Sequence, residues 1–371
     1  MRKVIISKAL QSILVLSAAF LICSNSFAVD TTGIDAVRQK SVLDNGDLRV
    51  IDEFVQGAIR DMIRSRDFTD ISVARLAIVE RKDGQAQYQD QFSQSAYKHI
   101  LAGFAQINKQ QEPDWIFKAT LNFLILIDGL ENPGLIDLAA DKVRSKNKAI
   151  QYWAVHCVTN LNLLKKLEAK EEYKKIDKIL EDVSAVAEGT SVETLSLIAD
   201  FSANLKGRKG KELLLKIADK RIMQYEQGTV EEELFEADVL KLLFGKIKDG
   251  EIPEPETAVR FAQLYSYVFQ KYIRDINRSD AISEQRNAQL ASVLAEIEKS
   301  CISKLLPPQQ LIRMLIPRKD VSRLQDEHDR LLGSESVEGE LPKLLNFKYY
   351  CDDKNEAMCK VPKKLPARPL K

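Results

Sequence analysis

From Asp47 to Leu332, apolar residues return every three or four positions, and short Gly, Pro or Asn breaks cut the run into helix-length pieces. That spacing gathers apolar side chains on one side of an α-helix, whereas a strand would need them at every second residue. "DLRVIDEFVQGAIRDMI" sets Val50, Phe54, Ile59 and Ile63 on one side. "QFSQSAYKHILAGFAQI" does the same with Phe92, Ala96, Ile100, Phe104 and Ile107. Pro113, opening "PDWIFKATLNFLILIDGL", suits a first helical turn, where the N–H it lacks would have had no partner. "NPGLIDLAADKVRSK" starts with the same device, and Pro253 and Pro255 mark another start. Thr190 with Glu193, and Thr229 with Glu232, have the spacing of reciprocal helix caps. Nothing between Pro113 and Leu332 alternates for long enough to argue a strand. The class is all-α.

Short connections make consecutive helices antiparallel neighbours. The pairs return about every 35–45 residues, the range of two-helix repeats. The expected architecture is therefore stacked antiparallel helix pairs, as an α-solenoid or an irregular helical array. One pair, "GLIDLAADKVRSKNKAIQYWAVHCVTNL" (Gly134–Leu161), resembles a HEAT repeat. Its second helix carries Ile150, Ala154 and Val158 where that family buries a face, and the stretch Lys170–Asn204 follows more loosely. Ser145 and Gln151 stand where the family usually has Asp and Arg, so its Asp–Arg ladder is missing here. The resemblance implies scaffolding through a long curved surface, without chemistry of its own.

The N-terminus carries an address. Met1-Arg2-Lys3, the apolar run Ile13–Cys23 and Ser26-Phe27-Ala28 have the charged start, apolar centre and small residues of a secretory signal peptide cleaved after Ala28. The run is shorter than the ~20 residues of a membrane span. Ile22 before Cys23 is not the small residue a lipoprotein signal requires. The chain is thus expected to be exported, to a periplasm or to the outside. Losing Arg2, Lys3 and Lys8 moves the formal charge from +1 to −2, a poor balance for a nucleic-acid partner. No later stretch is long and apolar enough to give the mature chain a transmembrane segment. The expected organisation is a signal peptide over 1–28, a flexible leader over 29–44, an α-helical repeat domain over 45–332 and an irregular basic tail over 333–371. From Lys343 onward that tail has eight Lys or Arg against three Asp or Glu, which would also suit an anionic membrane surface.

Four cysteines follow the cleavage point. Cys157 and Cys301 sit within apolar-periodic helices as buried thiols. Cys351 and Cys359 flank "DDKNEAM" and are spaced to pair as a local disulfide. On the chain-entropy account, closing so short a loop contributes ~2–3 kcal/mol.

Candidate chemistry is sparse. "NKAIQYWAVHCVTN" gathers Trp153, His156 and Cys157, but His156 and Cys157 point about 100° apart on a helix. A structural zinc site wants four ligands, and the other histidines, His99 and His328, are distant in sequence. These residues read as helix packing. There is no Gly-x-Ser-x-Gly elbow, and "KGRKGK" lacks the preceding strand and terminal Ser or Thr of a phosphate loop. No catalytic residue, metal or cofactor is therefore assigned. "VEEELFEAD" offers Glu231, Glu232, Glu233, Glu236 and Asp238, all of which fit a helix start favoured by the dipole. In "YSYVFQKYI", Tyr265, Phe269, Tyr272 and Ile273 share a core-facing side, while Tyr267 and Lys271 share another and are the candidates for binding a partner. The expected function is an exported, non-catalytic helical-repeat scaffold that binds another envelope protein or a peptide. The alternative is an all-α enzyme cleaving glycan, which needs a deep cleft with two carboxylates about 5–10 Å apart.

Overall fold

The structure is a computed structural model that describes residues 31–249, 255–307, 311–350 and 358–367. The signal peptide expected over 1–28 lies outside the described residues. The chain divides into two compact units, Met1–Leu138 and Ala139–Lys371. Both are all-α.

The first unit holds α1 (Thr32–Val37), α2 (Asn45–Arg64), α3 (Phe68–Val79), α4 (Ala86–Ile107) and α5 (Pro113–Leu130). Asp44 and Asp47 cap α2 reciprocally, each carboxylate accepting the other residue's backbone N–H. α2 packs on α3 and α4, and α5 packs on the same two helices. α4 buries the five residues predicted for it. On α2, which faces two neighbours, the buried stripe is broader and turned: Ile51, Phe54, Val55, Ala58, Ile59 and Met62 face in, leaving Val50 and Ile63 at its edges. The leader is not loose where it is described, because Ile34, Val37 and Leu43 are buried.

In the second unit α6 (Ile136–Ala140), which straddles the boundary, leads to α7 (Lys148–Val158), α8 (Leu161–Ala169), α9 (Tyr173–Val186), α10 (Val192–Asn204) and α11 (Arg208–Gln227). There follow α12 (Phe235–Asp249), α13 (Pro255–Asp275), α14 (Ala281–Ile297), a π-turn over Glu298–Ile302, α15 (Leu311–Leu315), α16 (Val321–Leu332) and α17 (Glu340–Leu344). From α10 to α14 each helix packs against the next and against the next but one. That succession of packed helix pairs is compatible with a helical repeat, although α13 also meets α16 and α17 and α10 meets α7. The sole strands among the described residues are β1 (Tyr349–Tyr350) and β2 (Met358–Cys359), paired antiparallel with Tyr349 opposite Cys359.

Local starts differ from the sequence pattern in instructive places. Ser191, not Thr190, caps α10, because Thr190 instead donates to the Gln151 side chain at 3.2 Å. Glu232 adopts a left-handed backbone (φ 56°) and α12 begins only at Phe235, so Thr229 and Glu232 form no cap. In the stretch Gly134–Leu161, where a pair of helices was expected, the first helix is reduced to a 3₁₀ turn (Pro133–Leu135) and the short α6. Asn147 caps α7 through the N–H groups of Ala149 and Ile150. The Gln151 side chain meets Thr190, about 40 residues on. Cys157 is buried on α7, while the Trp153 and His156 rings lean together on a half-buried side with centroids 5.1 Å apart.

Candidate functional site

α13 carries no charged residue from Phe261 to Gln270, and five helices, α11, α12, α14, α16 and α17, pack against it. Little of its circumference is left to solvent. Tyr267 is 1% exposed and Lys271 8% exposed. Both were expected on an accessible side, and the structure corrects this: neither is presented to a surface partner. Two aromatic-rich sides on one helix meant neighbours on both, not a core side and a free one.

The side of α13 that carries Tyr267 and Lys271 closes over a buried ionic cluster. Lys271 Nζ donates to Glu233 Oε1 at 2.7 Å and lies 5.6 Å from the centre of the Tyr225 ring. The Tyr225 and Tyr267 rings stack at 5.9 Å, and the Tyr267 hydroxyl donates to Glu226 Oε1 at 3.0 Å. Beneath them Arg221, 1% exposed, grips Glu236 with Nη2 at 2.7 Å and Nε at 3.2 Å. Its remaining donors go to the Glu231 carbonyl and the Gln224 side chain, at 2.9 and 2.8 Å. Glu233 and Glu236 are thus counter-ions of two buried cations rather than simple helix-start acids. Burial pushes the Glu236 carboxyl up to about 7 against the pull of Arg221. No cleft opens on Glu233 or Glu236, both of which are fully buried, so neither has the access a glycan-cleaving carboxylate needs.

The adjoining side of α13 holds a piece of the tail. Gln263 accepts the Lys363 N–H through Oε1 at 2.8 Å and donates to the Lys363 carbonyl through Nε2 at 3.3 Å. Seven residues on, two helical turns along the same side, Gln270 donates to that carbonyl at 3.0 Å and accepts the Leu365 N–H at 2.7 Å. Arg274 donates to the Pro366 carbonyl at 3.0 Å. Every one of these contacts is to the main chain. The pattern takes Lys363 and Leu365 and skips Lys364, as an extended chain requires, and the segment runs in the same direction as the helix.

A hydrogen-bonded chain behind Gln270 fixes its amide. Asp329 Oδ1 lies 2.9 Å from His328 Nδ1, and a carboxylate only accepts, so Nδ1 carries the hydrogen. His328 Nε2 then accepts from Ser266 Oγ at 2.9 Å, and Ser266 accepts from Gln270 Nε2 at 2.8 Å. Burial holds the His328 imidazole below its ordinary value, opposed by Asp329, which keeps the ring neutral as this chain of donors needs. Ser, His and Asp follow one another here in the order of a nucleophilic relay. Ser266, however, is fully buried in mid-helix and its hydroxyl is committed to both neighbours. The relay positions an amide.

The rest of the tail supports this seat. Leu341, Leu345, Phe347 and Tyr349 are buried, and the Tyr349 hydroxyl donates to the Leu332 carbonyl at 3.0 Å. Gly333 has φ +107°, and a Cβ there would stand 2.7 Å from the Lys360 carbonyl oxygen. Two of the lysines that suggested a basic surface are turned to acids: Lys363 lies 3.9 Å from Glu226, and Lys364 2.8 Å from Glu335. Cys359 is disulfide-bonded, and the expected pairing with Cys351 falls partly outside the described residues, since Cys351 is not among them. Among the described residues no group of three or more His, Cys, Asp or Glu is arranged to hold a metal ion, and no helix is long and apolar enough to cross a membrane.

No family model matches the chain, and no curated protein matches its sequence.

Proposed function

We propose that this chain is an exported, non-catalytic helical scaffold that binds another envelope protein by holding an extended segment of that protein along α13. The observation that carries the proposal is the pair Gln263 and Gln270, which reads the main chain of residues 363–365 through four hydrogen bonds. Two amides two turns apart on one helix side are suited to any extended peptide, much as a sheet edge is suited to an added strand. The acidic groups around the seat, Glu226 and Glu335, favour a basic segment. Export rests on the signal-peptide pattern of residues 1–28, and the repeat architecture on the packing of each helix from α10 to α14 against the next and the next but one.

The test is made in the native host. The mature chain, tagged, is cross-linked in intact cells as wild type and as Gln263→Ala/Gln270→Ala. The proposal expects one or two envelope proteins recovered reproducibly with the wild type and depleted at least tenfold with the variant. An identical set from both chains would remove α13 as the binding surface.

A further inference from the structure

We infer that Lys363–Pro366 is an exchangeable ligand that the chain supplies to its own peptide site, so that a partner's extended basic segment must displace the tail in order to bind. This rests on the scaffold function proposed above and adds how access to the site is governed.

Three observations point to exchange rather than a fixed strap. First, the grip is almost wholly main-chain: Gln263, Gln270 and Arg274 contact the N–H or C=O of Lys363, Leu365 and Pro366. Any segment able to lie extended offers the same groups, so this main-chain grip does not by itself distinguish the tail from a partner's segment. Second, the tail commits little apolar surface. From Val361 to Ala367 only Pro362 is buried, while Lys364, Pro366 and Ala367 are exposed. Segments with few buried apolar contacts open locally at a small fraction of the global unfolding free energy. Third, the seat is not filled. A cavity of about 250 Å³ runs beside Lys363, lined by Glu226, Gln263, Met223 and Tyr350 among others. A strap packed as a core element would leave no such space.

The chemistry of the fitting partner can be read from the occupant. Pro362 and Pro366 bracket the segment and favour an extended backbone before binding, which lowers the ordering cost. Lys363 and Lys364 face Glu226 and Glu335. The partner is therefore a proline-flanked, basic, extended peptide segment, and the tail imitates it. Glu226 stands where the ionic cluster and the peptide seat adjoin: Tyr267 donates to the same Oε1 that Lys363 approaches. Tyr267, buried and out of a partner's reach, thereby acts as a positioning residue for the carboxylate that meets the ligand.

The experiment uses the full mature chain and a fluorescein-labelled peptide with the sequence of residues 360–367, followed by fluorescence anisotropy. Lys363→Pro/Leu365→Pro removes the two N–H groups that Gln263 and Gln270 accept, while Pro in place of either residue suits an extended backbone. The released chain is expected to bind the peptide at least tenfold more tightly than the wild type. Adding Gln263→Ala/Gln270→Ala to the released chain is expected to abolish that gain. Leu365→Pro alone, a smaller perturbation, should give an intermediate gain if the double variant melts abnormally. Equal binding by wild type and released chains overturns the gating role of the tail and leaves the peptide site standing. No binding to any of them, with melting curves superimposed, overturns both.

Discussion

In the first unit the polar centre stays in touch with water. Asp52, its side chain 37% exposed, accepts from Ser95 at 2.9 Å and from Lys98 at 3.0 Å and meets buried His99 at 2.9 Å. Burial works against its charge, but Lys98, His99 and Ser95 outweigh it and hold the carboxyl below its usual value. In the second unit Arg221 and Glu236 meet at the same distance range with no exposure at all, and burial wins, pushing the carboxyl up. In both places a carboxylate on one helix meets a donor on another. What differs is the number of neighbours: Asp52 looks out between α2 and α4, whereas Glu236 sits where α11, α12 and α13 converge. An ion pair at an edge tunes stability by a little, and a sealed one becomes indispensable once formed, because either partner alone is an uncompensated charge.

The sharpest way to break this contrast is Arg221→Met. It removes the cation that helps keep Glu236 ionised, leaving a buried carboxyl that must stay unpaired or take up a proton. The change should cost about 3–5 kcal/mol in denaturant unfolding, with much of the loss recovered by adding Glu236→Met. A loss below 1 kcal/mol would mean that water reaches the pair. Gly333→Ala comes next. Its left-handed backbone and the nearby Lys360 carbonyl predict a loss of about 1–3 kcal/mol. Residues 361–367 should also become labile to protease, and a tail as resistant as before would show that Gly333 does not control its path.

Asp52→Asn should lower stability at neutral pH by about 1 kcal/mol or less, as befits a partly exposed cluster. Since the folded carboxyl titrates below its ordinary 3.8, the contribution is present above that value and disappears as pH falls through the folded one. The variant should therefore lose less than the wild type in strong acid. For His328 the folded imidazole titrates below its ordinary 6.5, so the unfolded chain takes up a proton the folded chain refuses. Stability then declines as pH drops below about 6.5, and His328→Gln should make that decline shallower. Parallel pH profiles would separate His328 from the relay that orients Gln270.

The all-α class was legible because a three-and-four spacing survives any rearrangement of neighbours, and α4 buries the residues that spacing names. Pro113 and Pro255 open α5 and α13 as their missing N–H groups allow. Tyr267 and Lys271 were misplaced for a physical reason: periodicity finds one apolar side and is silent about helices arriving on the other. The uncharged run from Phe261 to Gln270 was the available sign of a helix enclosed all round. Glu233, the partner that lets Lys271 be buried, lies 38 residues earlier, beyond any local pattern. The seat itself was out of reach for the same reason. Gln263 and Gln270 are visibly two turns apart, but the segment they hold begins 93–100 residues later, in a tail whose charge suggested solvent.

The central claim, that the Gln263–Gln270 side of α13 holds an extended segment by its main chain, is tested most directly by native-state hydrogen exchange at the Lys363 and Leu365 amides. In the wild type both amides should be protected while that of Lys364 is not, and they should exchange faster than the amides of α13 itself. Gln263→Ala/Gln270→Ala should abolish that alternating protection and leave α13 unchanged. Equal exchange at 363, 364 and 365 in the wild type, or protection that survives loss of both glutamines, would contradict the account.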